Sequence, residues 1–129
     1  MIYSIDEIRR ITVPIAARHG VERMRLFGSY ARGEATEKSD VDLRIDCGRI
    51  KDLFGMGALY ADLQDQLQKP LDIVTTEGLD QRFLARIQPD EVLLYEYRPH
   101  LANGDREDSR IERTMPNYDR RRGFANGLR

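Results

Sequence analysis

Apolar residues recur along the chain with two periods, and the places where the period changes mark its elements. Ile5, Ile8, Ile11 and Ile15 follow helical spacing, and Ser4-Ile5-Asp6-Glu7 reads as a capping box at the start of that helix. Gly20 is its expected stop, and Pro14 should kink the helix or divide it in two, because proline lacks a donor and crowds the preceding turn. Met24–Phe27 reads as a short apolar strand ending at Gly28. Val41, Leu43 and Ile45 alternate with Asp42 and Arg44, the period of a strand with one face in a core. Leu53, Met56, Tyr60, Leu63 and Leu67 suggest one face of a helix over residues 51–68, closed by Pro70. Leu71-Asp72-Ile73-Val74-Thr75 is a third strand, Leu79–Ile87 a short helix and Val92–Tyr95 a last strand. The order is helix, strand, strand, helix, strand, helix, strand, which predicts an α/β fold with a mixed sheet of four or five strands and helices packed on one face.

Periodicity stops after Tyr97. The expected division is a folded domain over residues 1–98 and a polar, flexible C-terminal tail over 99–129 that does not join the core. Within that tail, Arg120-Arg121-Arg122 reads either as a solvated end or as a partner-binding arm. With 129 residues, the chain has room for one ordinary domain.

Composition narrows the function classes. Hydrophobic residues make up 40% and charged residues 33%, the mix of a globular protein in water. No apolar run approaches the roughly 20 residues of a membrane helix, and the first residues lack the form of a signal peptide, so a cytoplasmic location is expected. The single cysteine, Cys47, with only His19 and His100 beside it in the inventory, makes neither an internal disulfide nor a structural zinc site. A net charge of −1 gives no general attraction to nucleic acid, so a direct nucleic-acid partner is not expected.

Chemistry concentrates in residues 28–42. Gly28-Ser29 directly follows a strand and could open a short helix whose amides and hydroxyl face an anion, although such a pair by itself is more often a plain tight turn. Arg32 adds a cation near that turn. Asp40 and Asp42 are two residues apart, so on a strand they share a face and repel unless a cation lies between them. Mg²⁺, which takes carboxylate and phosphate oxygens together, would fill that role; the alternative is a solvated strand face. Asp72 sits in an otherwise apolar strand and would join the same site if that strand pairs beside Val41–Ile45.

Taken together, Gly28-Ser29-Tyr30-Ala31-Arg32-Gly33-Glu34, Ser39-Asp40-Val41-Asp42-Leu43 and the later Leu71-Asp72-Ile73-Val74 resemble the signature of the DNA polymerase β-like nucleotidyltransferases, and most of all its minimal members. The likeness covers about residues 1–97. It implies that Gly28 and Ser29, with Arg32 nearby, contact the triphosphate of ATP. It further implies that Asp40 and Asp42 bind Mg²⁺, and that Asp72 completes a site for two metal ions. Small members of the family act as antitoxins beside a HEPN-domain RNase toxin and silence it by moving AMP from ATP onto a toxin tyrosine. The resemblance therefore implies a protein adenylyltransferase with a HEPN toxin as partner. Neutralisation by binding alone, and nucleotidyl transfer to a small molecule such as an aminoglycoside, are the rival readings. The lack of an added substrate domain favours a protein acceptor.

Overall fold

A computed structural model describes residues 1–98 together with two short strands near the C-terminus, Phe124–Ala125 and Gly127–Leu128. Those two strands pair with each other; most of the expected tail over 99–129 lies outside the described residues.

The chain opens with α1 (Ile5–His19), followed by β1 (Arg23–Phe27), α2 (Gly28–Arg32) and β2 (Val41–Asp46). Next come α3 (Leu53–Leu67), β3 (Leu71–Thr75), α4 (Gln81–Ile87) and β4 (Val92–Glu96), with single 3₁₀ turns at Thr76–Gly78 and Gln88–Asp90. The strands form a mixed four-stranded sheet in the order β3-β2-β1-β4. β1 runs antiparallel to β2 and β4, while β3 lies parallel to β2. The parallel pair is possible because α3 carries the chain back across the sheet between β2 and β3.

The capping box forms as expected. The Glu7 amide donates to Ser4 Oγ at 3.0 Å and the Ser4 amide to Glu7 Oε1 at 2.8 Å. Gly20 ends the helix in the left-handed conformation. Pro14 does not divide α1, which runs unbroken with the proline buried within it. The surrounding packing of Ile8, Ile15 and Ala16 in the core outweighs the single backbone bond that a proline forfeits.

Met24 and Leu26 of β1 and Val41, Leu43 and Ile45 of β2 are fully buried, and they join Ile8 and Ile15 of α1 in one core. The face of α3 differs from the expectation. Leu59, Leu63 and Leu67, spaced by four, are its buried line, whereas Leu53 and Phe54 are exposed and Tyr60 is partly so. A helix rich in apolar residues all round does not reveal which stripe meets the sheet, and its first turn here projects beyond it. Tyr60 still contributes by donating from its hydroxyl to the Leu71 carbonyl at 3.2 Å. Gln68, held at φ 56°, ends α3 before Pro70 is reached.

Strand alternation leaves the opposite sheet face to Phe27, Asp42, Arg44, Asp46 and Asp72. Phe27 meets Phe83 of α4 edge-on, with ring centroids 6.0 Å apart. That face carries the polar residues from which a site can be built. No helix among the described residues is long and apolar enough to cross a membrane.

Candidate active site

β1 ends at Phe27 and the chain turns at once into α2, a single turn and a half of helix. Gly28 makes the turn at φ +76°, a conformation that L side chains rarely adopt. A second constraint is spatial: a Cβ added at Gly28 would collide with the carboxylate of Asp42. The carboxylate of Asp42 therefore lies directly against the backbone at the α2 start, and glycine is what lets it approach.

The sheet then sets the carboxylates side by side. Asp42 is opposite Phe27 across the β1–β2 pair and opposite Asp72 across the β2–β3 pair. Registered neighbours project to the same face, so the condition under which Asp72 joins the site is met. Asp40 stands just before β2 and is exposed, as is Asp72, while Asp42 is half-buried. Arg32 closes the last turn of α2 and pairs with Glu34 at 3.0 Å, and Ser29 is the second residue of that helix, partly buried.

The electrostatics single out Asp42. Burial, then the charges of Asp72 and Asp40, push its carboxyl up from 3.8 to about 6, with Arg32 pulling the other way. The two flanking carboxylates and Arg32 thus all act on one group. Among the described residues, no three acidic, histidine or cysteine side chains close into a metal cage. Asp40 and Asp72 are exposed, so the row of carboxylates is not enclosed. An open carboxylate array still suits Mg²⁺, which is held by one or two carboxylates plus substrate phosphates rather than by an all-protein cage. The excess negative charge at Asp42 is what such a cation would neutralise.

These observations carry two expected results. Gly28→Ala forces both a strained φ and a shifted Asp42 side chain, so it should cost about 1–2 kcal/mol of stability. It should also cut nucleotidyl transfer by roughly 10²-fold, the effect of a displacement near 1 Å at a reacting centre. A thermal melt and a rate measurement check this, and unchanged transfer would mean that the contact with Asp42 has no bearing on the site. The second result concerns pH. In the unfolded chain Asp42 titrates near 3.8, so between 3.8 and about 6 the folded protein holds a proton that the unfolded one does not. Stability therefore falls as pH rises through that window, and the penalty is complete above it. The metal-free protein should melt lower at about pH 7.5 than at about pH 5 by a margin that Asp42→Asn removes, and Mg²⁺ should raise the midpoint mainly at the higher pH. A margin that survives Asp42→Asn would point to other groups.

A polar network beyond Asp42 on the same face had no counterpart in the sequence pattern. Arg44 forms a two-pronged pair with Glu91, Nε to Oε2 at 2.6 Å and Nη2 to Oε1 at 2.7 Å, and both side chains are buried. Its third nitrogen, Nη1, donates to Thr76 Oγ1 at 2.7 Å, and the Thr76 hydroxyl makes a short bond to Asp46. Arg23 links Asp46 at 2.8 Å with Glu96 at 3.1 Å. Burial works to raise the Asp46 carboxyl, but the Thr76 hydroxyl, Arg25 and Arg23 together hold it below its ordinary value. In the sequence, Arg44 reads only as a polar position in an alternating strand, and nothing local marks Glu91 as its partner.

Comparison with known proteins agrees with the fold. A family described as polymerase beta, nucleotidyltransferase matches residues 11–100. A candidate protein adenylyltransferase of Methanocaldococcus jannaschii is 37% identical over 89 residues, 69% of this chain and 96% of that protein. Among solved structures, a candidate minimal nucleotidyltransferase superposes with a TM-score of 0.61 at 32% identity, covering 70% of this chain and 95% of the other. A tri-AMPylated HEPN toxin of Shewanella oneidensis in complex with its MNT antitoxin gives a TM-score of 0.56 at 14% identity, covering 83% of this chain and 78% of the matched one. At that identity the likeness is one of fold.

Proposed function

The chain belongs to the polymerase β family of nucleotidyltransferases, and from that premise we propose that it transfers AMP from ATP to a hydroxyl, a tyrosine in particular, of a partner HEPN toxin. The observation that carries the reading is the carboxylate of Asp42 lodged against Gly28 and beside Asp72, its pKa pushed up to about 6 by burial and then by the neighbouring charges of Asp72 and Asp40. Such a site is preorganised for a cation that arrives with a triphosphate.

In this reading Gly28 and Ser29 offer the start of α2 to the phosphates, and Arg32 leaves Glu34 for them. Asp40 and Asp42 hold Mg²⁺, with Asp72 completing a site for two ions. When bound, the ions supply charge neutralisation at the phosphates and ease proton loss from the attacking hydroxyl. The side chains position: the acceptor oxygen attacks the α-phosphorus, the bond to the β-phosphate breaks, and pyrophosphate leaves. A partner protein as acceptor is favoured by the naming of the relative from M. jannaschii as a protein adenylyltransferase. The HEPN toxin is favoured by the AMPylated complex that shares the fold.

The test is coexpression with a HEPN-domain protein encoded beside this chain, followed by mass spectrometry of that protein. One or more AMP units on a tyrosine support the proposal. A toxin that stays unmodified yet is neutralised would support binding alone.

A further inference from the structure

Lys69 is a buried cation without a carboxylate partner among the described residues. Its residue exposure is 8%, and its ammonium donates to one protein acceptor, the backbone carbonyl of Glu37, at 3.1 Å. Burying a lysine to bond a single carbonyl is costly, so the place of that carbonyl matters. Glu37 lies in the loop between α2 and β2, three residues before Asp40.

The loop is otherwise held by its own turn, by Ala35 packed against the core and by an exposed ion pair of Glu37 with the N-terminal ammonium at 3.7 Å. The Thr36 amide donates to Ser39 Oγ at 2.8 Å, the Ser39 amide to the Thr36 carbonyl at 3.1 Å, and the Lys38 amide to Thr36 Oγ1 at 3.2 Å. These bonds make a compact turn but do not attach it to the sheet. Next to Asp40, attachment comes from the α3–β3 connection. There the Pro70 carbonyl accepts from the Val41 amide at 2.9 Å, and Lys69 reaches Glu37. The connection is itself fixed by Gln64, whose side-chain amide donates to the Lys69 carbonyl at 2.9 Å. Asp40 therefore sits between two anchors, Lys69 on the loop side and Pro70 on the strand side. Asp42 and Asp72 are placed by the sheet, whereas Asp40 stands outside the strand and depends on these anchors.

We propose that Lys69 is a positioning residue, which fixes Asp40 for cation binding by clamping the loop at the Glu37 carbonyl. The proposal rests on the reading of Asp40 as a metal ligand. Lys69→Met removes the ammonium and keeps most of the apolar stem, and Lys69→Arg restores a donor at the same place. In the metal-free protein, Lys69→Met should speed amide hydrogen exchange at Thr36, Ser39 and Val41 while the amides of α1 and β1 stay protected. The Mg²⁺ concentration giving half of the maximal thermal shift should rise roughly tenfold, the usual cost of losing a group that orients a metal ligand, and Lys69→Arg should recover most of it. Asp40→Asn in the otherwise native protein separates the two ideas. If Asp40→Asn leaves the Mg²⁺ response unchanged, the reading of Asp40 as a ligand fails. If it abolishes the response while Lys69→Met leaves the midpoint unmoved, the clamp fails and the ligand stands. A Lys69→Met protein that melts lower with an unaltered Mg²⁺ midpoint shows a packing role only and overturns the proposal. Should Lys69→Met not fold, the Arg variant carries the test, and a Mg²⁺ midpoint or exchange pattern far from wild type in it overturns the proposal.

Discussion

Asp42→Asn should lower AMP transfer by on the order of 10³-fold or more while leaving the fold intact and, near neutral pH, somewhat more stable. The two effects have one origin. Asp42 is the residue on which the sheet register, the Gly28 turn and the charges of Asp40 and Asp72 converge. Asparagine keeps its shape and its contact with the α2 start but removes the negative charge that a cation would bind. It also removes the burial cost of that charge and its repulsion by Asp72 and Asp40, which together raise the carboxyl to about 6, so the metal-free variant should melt no lower than wild type. The same variant should leave a HEPN partner without AMP. Transfer within a few-fold of wild type would sink the assignment, since no other carboxylate of the site stands opposite both β1 and β3. A lower melting point would instead show that Asp42 is held by favourable contacts that the raised pKa contradicts.

The reach of sequence reasoning follows the range of the interaction. Elements set by neighbours in the chain were legible: the Ser4–Glu7 box, the Gly20 stop, and the alternation of Val41, Leu43 and Ile45. The candidate site was legible for a related reason, since five of its six residues, Gly28, Ser29, Arg32, Asp40 and Asp42, fall within fifteen positions, and the sixth lies on a strand whose pattern shows it. What depended on tertiary choice was not legible. The apolar positions of α3 fit two stripes, and only contact with α1 and β3 selects Leu59, Leu63 and Leu67 over a line through Leu53. Pro14 likewise reads locally as a break, and burial overrides it. The Arg44–Glu91 pair joins residues 47 apart, and Lys69 reaches back 32. No periodicity encodes such partners.

The largest loss of stability is expected from breaking the Arg44–Glu91 pair. Their side chains are only 5% and 6% exposed, so water does little to screen the pair or to solvate a widowed partner. Glu91→Ala would leave the Arg44 guanidinium buried, bonded only to Thr76, and directly opposite Arg25 across the β1–β2 register. Removing one member of a buried pair costs about 3–5 kcal/mol, and at roughly 4–8 °C per kcal/mol for a domain of this size the midpoint should fall by about 12 °C or more. Arg44→Met with Glu91→Leu should recover much of that loss, because apolar residues of similar volume often replace a buried ion pair at little net cost. The pair then has a use other than stability. It ties β2, two residues beyond Asp42, to the segment entering β4, so the double variant should keep its fold but lose some rigidity at the carboxylate row. Measuring the single and double variants by thermal melt, with transfer rates alongside, separates the two contributions. A Glu91→Ala protein within about 1 kcal/mol of wild type, the range of exposed pairs, would show that Arg44 finds solvent or another partner and that the network does not pin β2.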